Sequence, residues 1–336
     1  MHLRKSLGQA NKRIKKAALL LIKIAVSSAL LIFLFSKVGG MAVIENAVLL
    51  SPAHFAVAVA LYIFSVCLSS MRWKLLIPHP VGIRRLFSIY MVGSFFNTCL
   101  PGIIGGDAVK AYYLNIELKQ NCSAAATGTS GVGNNALSVA SVFMDRYIGL
   151  AALLSIGLAV FPAGFSLLSK TPAVWTMPLL FSGFIAASIL LFRFRLGERL
   201  KFMVGIYDCF SYYFTKRHIL MKAFLYSIAI QLTVVLSVYI LARGMALDIT
   251  YLSLLVFLPL IILISMIPVS ISGIGIREGA FVFFLGTAGI PPDKAMTLSI
   301  LWFLSLVVAG FWGLAEYLRY KQLFGRGIKE EPLEVR

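Results

Sequence analysis

The chain has 336 residues, of which 60% are hydrophobic and only 13% charged, with a mean hydropathy of +0.90. That leaves too few polar residues to cover the surface of a water-soluble domain, and intrinsic disorder is excluded on the same ground. Net charge is +18. Its clustering between apolar runs reads as the loop charge of a multi-span helical membrane protein rather than a nucleic-acid surface. The fold class is therefore all-α and polytopic.

A helical span needs about 20 mainly apolar residues. Seven segments qualify: 17–36, 53–71, 143–162, 174–193, 220–242, 249–267 and 295–317. The first follows a basic tail and lacks an A-x-A cleavage pattern, so it reads as an uncleaved signal anchor. One integral membrane domain is expected, with residues 1–16 and 318–336 as basic cytoplasmic tails around a bundle at 17–317. Residues 1–16 hold six Lys/Arg, 72–85 four, 193–222 seven and 319–336 five. Together these are 22 of the 31 basic residues, whereas Lys37, Lys170, Arg243 and Lys294 stand alone in the other connections. Basic loops face the cytoplasm, which places both termini inside.

That orientation requires residues 86–142 to make no net crossing. A re-entrant hairpin around Pro101 satisfies it better than a return through 121–142, where Asn121, Thr127, Thr129, Asn134 and Asn135 would face lipid. Near the other end a broken helix at 268–290 must carry the chain outward. Irregular backbone at membrane depth survives only inside protein or beside a wet cavity, so both broken segments belong at the bundle centre. Pro101-Gly102 with Gly105-Gly106-Asp107, and Pro268 with Gly273, Gly275, Arg277 and Glu278, form paired Gly/Pro interruptions of the kind that mark a transporter's central site.

Charges at membrane depth are costly and are either functional or mutually paired. Asp107 and Lys110, three residues apart, can pair locally. Asp145–Arg146 and Arg277–Glu278 are neighbours that do not face one another on a helix, and are expected to seek partners on other helices. Amides at the start of a half-helix suit a phosphate, with Lys110, Arg146 and Arg277 as counter-charge; the plainer reading is tight helix packing on small residues. Asn97 is expected to cap the hairpin in preference to touching a ligand. Arg72-Trp73 reads as an interfacial anchor, and Glu316 as the partner of Arg319 one turn on. Four dispersed cysteines and four dispersed histidines suggest neither a disulfide framework nor a metal cage, and no cofactor is expected. A P-loop, a Gly-x-Ser-x-Gly elbow and a DxD cluster are absent from the sequence.

The ordered motifs Arg72-Trp73, Phe95-Phe96-Asn97-Thr98-Cys99-Leu100-Pro101-Gly102, Gly105-Gly106-Asp107 with Lys110, Asp145-Arg146 with Gly149-Leu150, and Gly273-Ile274-Gly275-Ile276-Arg277-Glu278 resemble the lysylphosphatidylglycerol synthase transmembrane region, also described as a flippase-like integral membrane family. The resemblance covers roughly residues 15–320. It implies a prokaryotic cytoplasmic-membrane protein that moves a phosphate-containing lipid, aminoacylated or polyprenyl-linked, between leaflets. It also implies membrane lipids as partners, with a separate lipid-modifying enzyme as a further one. The aminoacyltransferase domain of the fused synthases has no counterpart in this sequence, so lysyl transfer is not expected of it. Lys110 stands where the family pattern has Arg, replacing a bidentate phosphate clamp by a point charge. The alternatives are a non-transporting scaffold for a lipid-modifying enzyme and, third, a membrane glycosyltransferase using Asp107 and Asp145.

Overall fold

The computed structural model describes residues 23–99, 105–124, 134–169, 172–193, 213, 216–267, 269–270 and 272–327. Pro101, Gly102 and Pro268 lie outside them. Among the described residues the regular structure is helical. In chain order the helices are α1 (Lys23–Val38), α2 (Gly40–Val48), α3 (Pro52–Leu76), α4 (Ile83–Cys99), α5 (Gly105–Ala124) and α6 (Asn134–Leu168). They continue with α7 (Thr176–Arg193), α8 (Arg217–Gly244), α9 (Tyr251–Ser265), α10 (Ile276–Thr287) and α11 (Pro292–Gly327).

Among the described residues, four helices are long and apolar enough to cross a membrane: α3, α6, α8 and the 292–320 part of α11. The bent pair α1 and α2 would make a fifth. This differs from the seven predicted spans in three places. Segments 174–193 and 249–267 form the shorter apolar helices α7 and α9. The first segment continues to Val38, then bends by 81° into α2, which occupies what the sequence suggests is a connection. Gly39, at φ +86°, makes that corner possible.

Helix boundaries follow local chemistry. Pro52 opens α3, where a missing N–H costs nothing. Ile77 turns extended ahead of Pro78, which disfavours helical backbone in the residue before it. Thr250 caps α9, its Oγ1 accepting from the Ser253 N–H at 3.1 Å. The buried hydroxyls of Ser69, Ser70 and Ser227 each donate to a carbonyl four residues back, so they need no partner from outside their own helix.

Two hairpins organise the bundle. α4 and α5 run antiparallel: Arg85 meets Glu117 at 3.3 Å, a Cβ on Gly93 would touch Lys110, and the Asn97 side chain reaches Gly106. The chain therefore leaves and returns at one end, as the expected re-entrant hairpin requires, with α5 as its return arm. α9 and α10 form the second, with Phe257 stacked on Phe284. Its break carries positive φ at Ser272 (+50°), Gly273 (+76°) and Gly275 (+88°). α11 runs past both, touching the start of α10 through Phe303 and α4 through Gly310 and Gly313.

The hairpins enter from opposite ends. The start of α4 lies beside Tyr320 near the end of α11, whereas the turn after α10 leads into the start of α11, where Asp293 accepts from Asn46 of α2 at 2.8 Å. Their tips meet where Ser272 Oγ donates to the Asn97 and Thr98 carbonyls at 3.4 and 3.3 Å. Apolar packing divides in the same way. One cluster, around Phe257, Phe281 and Leu298, fills the α9–α10 half, and another, around Trp73, Leu86, Met91 and Leu114, fills the α4–α5 half.

Candidate functional site

The second apolar cluster encloses a network of charges from three helices, joined by polar side chains from two more. Arg72 of α3 has a side chain only 6% exposed, and Asp145 of α6 is fully buried. Arg72 Nε and Nη2 both lie 2.8 Å from Asp145 Oδ1. Arg72 Nη1 donates to Ser227 Oγ of α8 at 2.7 Å. Gly149, one turn beyond Asp145, leaves room for this: a Cβ there would lie 3.1 Å from Arg72 Nη1. Tyr90 of α4 donates its hydroxyl to Asp145 Oδ2 at 3.1 Å.

A second carboxylate extends the network. Asp107, in the first turn of α5, accepts a bidentate pair from Arg146 of α6, Nε and Nη2 each at 2.8 Å. Lys110 Nζ stands 3.1 Å from Asp107 Oδ1 and 3.8 Å from Asp145 Oδ2, and so joins the two acids. The ammonium is buried and makes no aligned hydrogen bond. It sits 4.1 Å from the centre of the Tyr90 ring and 5.7 Å from that of Trp73, a cation–π setting. Arg146 alone opens outward, its side chain 45% exposed.

The pairing follows from helix geometry. Neighbours on a helix diverge by about 100°, so Asp145 turns to α3 and Arg146 to α5. Asp107 and Lys110, three apart, meet on one face. For Arg277–Glu278 the expectation holds only in part, because these two, both buried, also pair directly with each other. They lie in the first turn of α10, where the Glu278 carboxylate folds back to accept from the Gly275 N–H at 2.5 Å and so comes within reach of Arg277. Arg277 also donates to Ser299 Oγ at 3.2 Å and covers the Phe303 ring at 4.4 Å.

The expected site residues thus separate into two groups. Asp107, Lys110, Asp145 and Arg146 share one cluster. Gly273, Gly275, Arg277 and Glu278 belong to another at the opposite hairpin, and among the described residues the Ser272 contact with the carbonyls at the end of α4 connects the two hairpins. Asn97 caps α5, its Oδ1 accepting from the Gly106 N–H at 3.0 Å. That amide and the Gly275 amide are therefore already occupied by side chains of the protein itself. Gly105 and Gly106 start α5 beside α4, where the close approach leaves no space for a Cβ on Gly106.

Arg72 corrects a prediction. It is a buried member of the network and no surface anchor, with Trp73 buried beside it donating Nε1–H to Ser141 Oγ at 3.3 Å. A signal was present, since the apolar run resumes at Leu75-Leu76-Ile77 and puts Arg72 short of the helix end. Tyr90 and Ser227 carry no such signal, because a tyrosine or serine on a membrane helix is ordinary by itself.

A helical bundle with apolar outer faces, two opposed hairpins and a buried multi-helix charge network defines a polytopic integral membrane protein. The sequence model of the lysylphosphatidylglycerol synthase TM region matches residues 20–313, and the chain belongs to that family. It is also similar to a UPF0104 membrane protein of Methanothermobacter thermautotrophicus, at 25% identity with 74% of this chain and 78% of the relative covered.

Proposed function

We propose that this chain carries a phosphate-containing lipid between the leaflets of a prokaryotic cytoplasmic membrane, its headgroup passing through the bundle while the acyl tails stay in lipid. The observation that carries the reading is the Arg72–Asp145–Lys110–Asp107–Arg146 network, five charges inside an apolar bundle with one arginine opening outward. Such an assembly is costly at membrane depth, and its place on one of two broken hairpins that meet tip to tip supports a transport site. Membership of a family named for lysylphosphatidylglycerol synthesis supports a lipid as the cargo.

On this reading the chain is a transporter and not an enzyme, and no cofactor takes part. The end holding Arg84, Arg85, Arg217 and Arg319 faces the cytoplasm. A synthase on that side would be the partner that supplies or consumes the lipid.

The test is leaflet exchange in liposomes holding the purified protein, with headgroup-labelled phosphatidylglycerol, its lysyl form and a polyprenyl-phosphate sugar. Exchange that Asp107→Asn abolishes, and that Glu316→Gln in the peripheral pair with Arg319 leaves intact, supports the proposal. Rates equal to empty liposomes, with or without an ion gradient, would overturn it in favour of a scaffold.

A further inference from the structure

The charge balance of the network bears on which headgroup it accepts, and it rests on the transport reading above. Among the described residues Arg72, Lys110 and Arg146 face two carboxylates, Asp107 and Asp145, which leaves one positive charge in excess. Both carboxylates are fully engaged. Asp145 Oδ1 takes Arg72 and Oδ2 takes Tyr90, while Asp107 takes Arg146 on both oxygens and Lys110 on one. At the opposite hairpin Glu278 is held by Arg277 and by the Gly275 N–H. Glu117, Asp293 and Glu316 lie towards the bundle ends, beside Arg85, Asn46 and Arg319. By contrast, the buried Lys110 ammonium has three N–H donors, and among the described residues it has one carboxylate oxygen at 3.1 Å and a second only at 3.8 Å.

We infer that the network selects a headgroup carrying one negative charge on a phosphate ester and rejects headgroups that also carry an ammonium. An excess cation in a low-dielectric interior is stabilised by an incoming anion. A lysyl or other aminoacyl headgroup brings further positive charge to a place where both nearby carboxylates are spent, and like-charge juxtaposition works against it. The recognised chemistry is the phosphate monoanion, which a lipid or a free phosphate could present.

Liposomes containing the full chain would be loaded in parallel with labelled phosphatidylglycerol, labelled lysyl-phosphatidylglycerol and radiolabelled inorganic phosphate. Phosphatidylglycerol should exchange at least about tenfold faster than the lysyl form. Lys110→Met, which removes the excess charge, should collapse that ratio to within about threefold by slowing phosphatidylglycerol. Should Lys110→Met fail to elute as a folded species, Lys110→Arg keeps the charge and has to retain the preference. Equal rates, or a faster lysyl form, in protein whose exchange Asp107→Asn still abolishes would overturn this inference and leave lipid transport standing. Phosphate uptake without lipid exchange, or no movement of any probe, would overturn the transport reading and this inference with it.

Discussion

A buried ion pair is held less by its attraction than by the penalty for separating it. Removing one partner of such a pair costs about 3–5 kcal/mol, whereas replacing both by apolar groups is often neutral. Arg72 and Asp145 meet that description, with Ser227 and Tyr90 satisfying the remaining polar atoms. Asp145→Asn should therefore lower thermal stability in detergent strongly, and Arg72→Met/Asp145→Leu should be more stable than Asp145→Asn alone. A thermal-shift series across the single and double variants checks this. Additive losses would mean that the two side chains do not depend on one another. Arg72→Lys should fall between, since an ammonium cannot reach Asp145 and Ser227 with a planar fork.

At the scale of elements, the hairpin of α4 and α5 depends on two glycines facing each other. A Cβ on Gly106 would lie 1.9 Å from the Gly93 carbonyl oxygen, and that oxygen belongs to a backbone that cannot rotate away. Gly106→Ala should separate the two helices at the crossing and pull Lys110 away from Tyr90, with a loss on the order of 1–3 kcal/mol. Gly183→Ala on α7, with open space around its Cβ position, should be neutral or slightly stabilising. Unfolding midpoints of the two variants in one detergent decide the matter. Equal midpoints would show that α4 and α5 can move apart without penalty. In the second hairpin the same closeness is achieved by Gly275, whose Cβ would lie 2.6 Å from Leu30 of α1.

For the whole molecule, the placement of charge predicts its sidedness. Arg84, Arg85 and Glu117 gather with Tyr320 at one end of the bundle, whereas Leu49 and Asp293 lie towards the other. Arg84→Cys and Leu49→Cys, each in a background with the four native cysteines replaced, should react with a membrane-impermeant maleimide from opposite faces of oriented vesicles. Labelling of both from one face would contradict the predicted crossing of α3.

The apolar composition alone required a membrane bundle, and the order of Gly, Pro and charge along the chain marked both hairpins. Asn97 was legible as a cap and Asp107–Lys110 as a pair, because both depend on residues close in sequence. The span count was not. α7 and α9 are apolar but short, and α2 occupies a stretch whose helical path depends on Gly39 and on contacts with α11, as where Thr297 donates to the Val43 carbonyl at 3.4 Å. Only the tertiary structure separated the two charge clusters, paired Arg277 with its own neighbour and brought Arg72, Tyr90 and Ser227 to Asp145. The sequence by itself determined which side chains could not be left in lipid, since burial cost is a property of each residue type. Which partner each one met depended on helix crossings set by glycine contacts and packed apolar faces, and these brought together residues as distant as Arg72 and Ser227, 155 positions apart.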